Sequence, residues 1–292
     1  MALIGVRDLL KAGVHYGHRT SRWNPKMEPF LFGKRNSVHI VDLAETVKGL
    51  YRAHKFLNQI AQDGEEVVFV GTKRPAQRLV YEESARCGMH FVRTRWIGGT
   101  FTNFSVVRSR LDRLIELEQM EESGSLGMYS KKMVSTLMRQ KRKIARNLEG
   151  IRFMEKLPGA MVVIDPGHEE IAVREARKMG IPVIALTDTS CDPDPVDIVI
   201  PGNDDAMKAI RLILSMLADA ILDGRGGDPG PTAALLMPAA PAEETVEEDP
   251  AAEKKEDEAE AEVSAEEEAP APEKKVTKAR KTASKTKKKE EE

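Results

Sequence analysis

Residues 159–202 read GAMVVIDPGHEEIAVREARKMGIPVIALTDTSCDPDPVDIVIPG, and the fold is decided within them. GAMVVID, IPVIAL and DIVIPG are continuously apolar rather than alternating, which is the pattern of strands buried on both faces. Between the first two lies the helix EEIAVREARKMG. Strand, crossover helix and strand in that order specify parallel neighbours. Downstream, NDDAMKAIRLILSMLADAILDG predicts a helix capped by Asn203, with Met207, Ile210, Leu214, Leu217 and Ile221 on one face.

Working towards the N-terminus, EVVFVG (66–71) is a further buried-strand signature. A helix follows it from about Pro75, an allowed first helical position, to Cys87. SVHIVD (37–42) alternates like a strand. Asp42 and Glu45 then suggest a capping box for a helix whose apolar positions run from Leu43 to Ala61 and which Gly64 ends. VRDLLKAG (6–13) predicts a short helix stopped by Gly13. The expected fold class is α/β, a doubly wound, mostly parallel sheet.

Residues 103–158 break this rhythm. Phe104, Val107, Leu111, Leu114 and Leu117 mark one helix, and Met133, Leu137, Ile144, Leu148 and Ile151 mark another, with EESGSLGM between them. Two amphipathic helices joined by a short turn predict an inserted antiparallel hairpin, a coiled coil. After residue 225 the composition turns to Pro and Ala, then to acidic and basic blocks, which predicts a disordered charged tail over 226–292. The expected organisation is an α/β domain over 1–225 with the hairpin inserted, followed by the tail.

Charge is distributed unevenly. Residues 1–156 carry 28 Lys and Arg against 16 Asp and Glu, whereas 157–225 carry 6 against 12 and 226–292 carry 11 against 19. The near-neutral total therefore conceals a basic half suited to a polyanion and an acidic half suited to solvent or basic proteins. Cys87 and Cys191 are too few for a disulfide scaffold or a Cys-rich metal site. The first residues lack a signal-peptide design, and no apolar run reaches the length of a membrane span, so a cytoplasmic location is expected, with no membrane partner.

The positive charge gathers in two irregular loops. VHYGHRTSRWNPKMEPFLFGKRN (14–36) holds Arg19, Arg22, Lys26, Lys34 and Arg35 against a single carboxylate, Glu28. RTRWIGGTFTNF (93–104) holds Arg93 and Arg95. Trp23 and Trp96 are read as anchors that pin these loops, leaving the cations to neutralise phosphates. Gly98 and Gly99 permit positive φ and close backbone approach. The second predicted hairpin arm adds Arg139, Arg142 and Arg146, an excess beyond what pairing within the helix uses. Lys73 and Arg74 extend the basic set to the end of the 66–71 strand.

An enzyme fits less well. Gly71-Thr72-Lys73 lacks both the dinucleotide and the P-loop fingerprints, and Pro75 removes a backbone N–H that an anion would use. A sugar-phosphate- or nucleotide-binding α/β enzyme is therefore the alternative, not the first reading. Asp165, Asp188, Asp192, Asp194 and His168 match no zinc or EF-hand spacing and read as turn and cap chemistry. His15 and His18 form an H-x-x-H that favours contacts to phosphate or backbone over a metal. No nucleophile is paired with a base, and no catalytic residue, metal site, cofactor or small-molecule substrate is expected.

AGVHYGHRTSRWNPKMEPFLFGKRNSVHIVDL, VFVGTK, RWIGGTFTNF and GIPVIALTDTSCDPDPVDIVIPGNDDA occur in that order, and together they resemble the bacterial small-subunit ribosomal protein S2 (uS2) family over about residues 1–225. Ser190, Ile198, Pro75 and the pair Arg93-Thr94 depart from the family's usual residues. The resemblance implies a non-enzymatic structural protein with a projecting hairpin. It further implies small-subunit ribosomal RNA and neighbouring ribosomal proteins as partners, among them the large mRNA-capturing one. It assigns the tail no role. Truncation after Gly227 is expected to leave incorporation into small subunits intact, checked by sedimenting lysates and probing the subunit fraction; absence of the truncated chain from that fraction would refute this.

Overall fold

The computed structural model describes residues 5–228, so the predicted disordered tail lies, from residue 229 onward, outside the described residues. The chain opens with α1 (Val6–Ala12), closed as expected by Gly13 in the left-handed conformation. Next come β1 (Tyr16–Arg19), β2 (Leu31–Arg35) and β3 (Val38–Val41), an antiparallel sheet in the order β1-β3-β2. The basic segment read as a loop therefore supplies two strands, with 3-10 turns at Thr20–Arg22 and Pro25–Phe30 between them, to a small sheet whose central strand is the expected β3. Its periodicity is illegible in β2 because Phe32 to Arg35 are all exposed, leaving no buried face to impose alternation. Asn36 and Ser37 take positive φ at the turn between β2 and β3, the geometry that joins twisted antiparallel strands tightly.

The remaining elements are α2 (Leu43–Gln62), β4 (Val67–Val70), α3 (Arg74–Cys87), β5 (His90–Val92), α4 (Phe104–Glu122), α5 (Lys131–Leu148), β6 (Ala160–Ile164), α6 (Glu170–Met179), β7 (Val183–Thr187), β8 (Ile198–Pro201) and α7 (Met207–Gly224). Strands β4 to β8 form a parallel sheet in the order β5-β4-β6-β7-β8. Three-residue β5 gave too little pattern to be read from sequence.

The strand side chains alternate between two cores. Val67, Phe69, Val162, Ile164, Ile184 and Leu186 face one, shared with Leu50, Leu57, Ile210 and Leu217 of α2 and α7. Val68, Val70, Met161, Val163, Val183 and Ala185 face the other, shared with Trp96, Phe101, Leu111 and Val173. Burial on both faces explains why these strands read as continuous apolar runs.

Two helix starts differ from expectation. The Asp42 side chain caps α2 by accepting from Ala44 N–H at 2.8 Å, but Glu45 pairs with Lys48 instead of closing the box. Asn203 accepts from Asp205 and Ala206 N–H, so it organises the turn before α7 rather than capping it. Helices α4 and α5 pack on each other, with Leu114, Leu117 and Leu137 buried and Lys141 paired to Glu121. Among the described residues, no helix is long and apolar enough to cross a membrane.

Phe69 is fully buried in β4. Phe69→Ala is expected to cost about 3–5 kcal/mol through lost burial and the cavity left behind, read as a lower urea midpoint at unchanged slope.

Candidate functional site

The chain passes from β4 to β5 on one side and then returns to β6 on the other. The switch point of the parallel sheet therefore lies between the carboxyl ends of β4 and β6, where α/β proteins usually hold ligands. Here the crevice is filled by the chain itself. Glu169, almost fully buried, accepts from Thr72 N–H at 3.0 Å and from the Thr72 hydroxyl. That backbone donor is one an anion would need. The Lys73 ammonium lies 2.6 Å from Asp165 Oδ2, 3.0 Å from Asp204 Oδ2 and 3.3 Å from Asp205 Oδ1. The expectation that Lys73 offers its charge to a phosphate is thus replaced by an inward role. Burial by itself lowers its pKa, but Asp204 and Asp165 outweigh burial and raise it.

Asp165 closes β6 with φ +62°, a left-handed conformation that Asp tolerates better than most residues. This aims Oδ1 at Gly167 N–H (3.0 Å), His168 N–H (3.1 Å) and Cys191 Sγ (3.1 Å). Burial raises its carboxyl, yet Lys73 and Cys191 hold it below the ordinary value. Burial and Asp165 push the Cys191 thiol up to about 12, leaving it inert.

The small antiparallel sheet is fastened to this same end. Thr189 accepts from His18 N–H at its hydroxyl (3.0 Å) and from Asn24 N–H at its carbonyl (2.8 Å). Gly17 permits the approach: a Cβ there would lie 2.5 Å from Thr189 Cγ2. The Lys26 ammonium bridges Asp192, at 2.8 Å, and Asp194, so it ties the segment down although it remains half exposed. The two histidines of the H-x-x-H separate. His15 stacks on Tyr16 at 4.0 Å. The His18 ring turns to carboxylates: Nδ1 lies 2.8 Å from Asp188 Oδ2 and Nε2 lies 3.4 Å from Asp205 Oδ2. Asp188 beside the ring raises its pKa to about 9, against the opposing effect of burial. Asp204 is fully buried, and burial, with repulsion from Asp165 and Asp188, pushes its carboxyl up to about 7.

Around this acidic centre the predicted cations divide. Arg19, Arg22, Lys34, Arg35, Arg74, Arg95, Arg139, Arg142 and Arg146 are exposed and form no ion pair among the described residues. Arg19 and Arg35 both sit opposite Val38, one on each side, so they share one level of the small sheet roughly 10 Å apart, two strand spacings. Arg139, Arg142 and Arg146 recur at helical spacing on α5, while its Lys141 is engaged by Glu121. Arg93 is half-buried, stacked 4.6 Å over the Tyr81 ring and paired with Glu149 at 3.3 Å, so its charge is already met.

The anchors differ in depth. Trp96 is 6 % exposed and meets Phe101 edge-on at 4.8 Å. Trp23 is partly exposed and packs on His39 at 4.9 Å. Gly99 takes φ +93°, whereas Gly98 does not enter that region. Sequence reasoning missed Glu175, a buried carboxylate on α6 that accepts from Gly99 N–H at 2.6 Å and Phe101 N–H at 3.1 Å. It holds the 93–104 loop, and nothing in the amphipathic pattern of α6 separates it from exposed glutamates.

A family model described as ribosomal protein S2 matches residues 9–224. The small ribosomal subunit protein uS2 of Rhodopirellula baltica is 53 % identical over 221 residues, 76 % of this chain and 85 % of that protein. Its counterpart from Geotalea uraniireducens is 52 % identical over 224 residues, 77 % and 88 % of the two chains.

Gly17→Ala is expected to lift β1 from Thr189 at a cost of about 1–3 kcal/mol, the usual range for overpacking. Hydrogen exchange at the His18 and Asn24 amides should accelerate while β6 and β7 amides keep their protection; unchanged exchange would show that this close approach is not required.

Proposed function

The chain belongs to the ribosomal protein S2 family, whose members are structural constituents of the small ribosomal subunit, and from that premise we propose how its surfaces serve the assembly. The nine exposed, unpaired cations named above meet the phosphates of small-subunit ribosomal RNA. The observation that carries this reading is the surplus of positive charge over residues 1–156, within which these nine side chains are exposed and form no ion pair among the described residues. RNA contact of this kind acts through backbone charge and shape and needs no base-reading code.

Two parts of the basic surface have distinct tasks. The antiparallel sheet presents Arg19, Arg22, Lys34 and Arg35 on a base held firmly by Lys26, Thr189 and Gly17. The α4–α5 pair acts as an inserted antiparallel coiled-coil arm, docking through Arg139, Arg142 and Arg146. The acidic half faces solvent and basic protein neighbours, and the large mRNA-capturing ribosomal protein is among the partners, as the family resemblance implies. The protein works in the cytoplasm as part of the ribosome through the α/β domain of residues 1–225, and the charged tail predicted beyond it lies, from residue 229 onward, outside the described residues.

The family is structural rather than enzymatic. The crevice at the switch point supports that assignment physically, because Glu169 and the Lys73 cluster take the positions a phosphate would need.

Replacing Arg19, Arg22, Lys34 and Arg35 together with Gln should lower the salt slope of RNA binding by about 0.7–0.9 per lost contact, roughly 3 in total. Filter binding across a salt series measures it, and an unchanged slope removes these four residues from the interface.

A further inference from the structure

Three buried carboxylates, those of Asp165, Asp188 and Asp204, converge on the carboxyl ends of β6, β7 and β8. Among the described residues, Lys73 is the only Lys or Arg that forms ion pairs with them. A protonated His18 ring beside Asp188 offsets one further charge; with that ring neutral, one ammonium against three carboxylates leaves two negative charges in a region sheltered from water, an arrangement that is costly without further compensation.

The ligating atoms form two triads that share Asp204. Atoms of Asp165, Cys191 and Asp204 lie within 4.8 Å of one another, and so do atoms of His18, Asp188 and Asp204. Lys73 sits against Asp165 and Asp204, so the first triad already holds a cation, and its thiol is bonded to Asp165. The second triad differs. Asp204 Oδ1 is fully buried with no hydrogen bond or ion pair, and Oδ2 meets Lys73 at 3.0 Å without hydrogen-bond alignment. His18 Nδ1 is likewise buried and close to Asp188 Oδ2, yet it is not aligned for a hydrogen bond. A buried carboxylate oxygen of Asp204 without a partner thus stands in a cluster with His18 and Asp188.

We propose that His18 Nδ1, Asp188 and Asp204 form a site for a divalent cation of the zinc type, which fastens the basic β1 segment to the carboxyl end of the parallel sheet. One imidazole and two carboxylates are a donor set that suits zinc and its neighbours, whereas magnesium and calcium favour oxygen alone. Asp205 completes the arrangement. It faces the opposite ring nitrogen, Nε2, at 3.4 Å, the position from which a carboxylate orients a metal-binding histidine. A dication also cancels the two charges that Lys73 leaves over. The fold supplies the rigidity: Asn203, beside Asp204, is held by Val14 and Gly13 carbonyls (3.0 and 3.3 Å), and Asp188 accepts from its neighbour Thr189 N–H at 2.5 Å. The sequence reading, which expected no metal, had no access to this cluster because its members stand at 18, 188 and 204.

The test is a calorimetric titration of Zn²⁺ into the full-length, metal-stripped chain, alongside His18→Gln, Asp204→Asn and Asp205→Asn. The expected result is one ion per chain, with affinity reduced about 10–100-fold by Asp205→Asn, the usual effect of removing an orienting partner, and more by the two ligand variants. His54→Gln, in a separate pair with Asp223, should bind as the parent does. Circular dichroism checks that each variant is folded, and His18→Gln carries the test if Asp204→Asn is not. Co²⁺ loading gives an independent readout: d–d bands without a thiolate charge-transfer band are expected. A thiolate band would place the ion at Cys191 and overturn the assignment. So would the absence of binding, or binding unchanged in folded His18→Gln.

Discussion

Parallel strands deliver all their connecting loops, and whatever carboxylates those loops carry, to one end of the sheet. In this protein the loops after β6, β7 and β8 bring Asp165, Asp188, Asp204 and Asp205 together there. Like charges at such distances in a poorly hydrated setting repel strongly. The Lys73 ammonium, supplied from the end of β4, offsets part of that repulsion and links strands on both sides of the switch point. Its own burial would disfavour the charge, but the surrounding carboxylates reverse the balance. The acidic end is therefore held by a cation from the half of the chain otherwise rich in outward-facing ones.

The docking of the antiparallel sheet depends on the same end of the parallel one. His18 enters the acidic centre, Gly17 allows its strand to lie against Thr189, and Lys26 clasps Asp192 and Asp194. A flexible basic segment would lose more conformational entropy on meeting RNA than one already fixed in place. Inward-facing polar residues thus preorganise outward-facing ones. Arg19 and Arg35 flank Val38 because the strands on which they stand are already paired.

Cations of the same type acquire different roles through their surroundings. Arg93 and Arg95 are two positions apart, yet the first stacks on Tyr81 and pairs with Glu149 while the second stays exposed and unpaired. Lys141 and Arg142 are adjacent, and the helix turns one to Glu121 and the other to solvent. Charge density along the chain locates a basic surface, but it does not rank the residues within it.

The sequence by itself determined the parallel core, since strands such as MVVI and VIAL, buried on both faces, must be continuously apolar, and that composition is visible without a structure. It also determined the helical pattern of 104–148, the excess of positive charge in the first half, and the family, because four ordered motifs are preserved. Only the tertiary structure decided that the 14–36 segment lays two strands, one on either side of β3, since those strands bury no alternating face. Only folding could show that Lys73 points inward, that Glu175 holds the 93–104 loop, and that His18 parts from His15 to join Asp188 and Asp204. Periodicity reports which side of an element is dry. Which charged groups meet across some 170 residues of chain is set by strand order and loop approach, quantities that no local pattern contains.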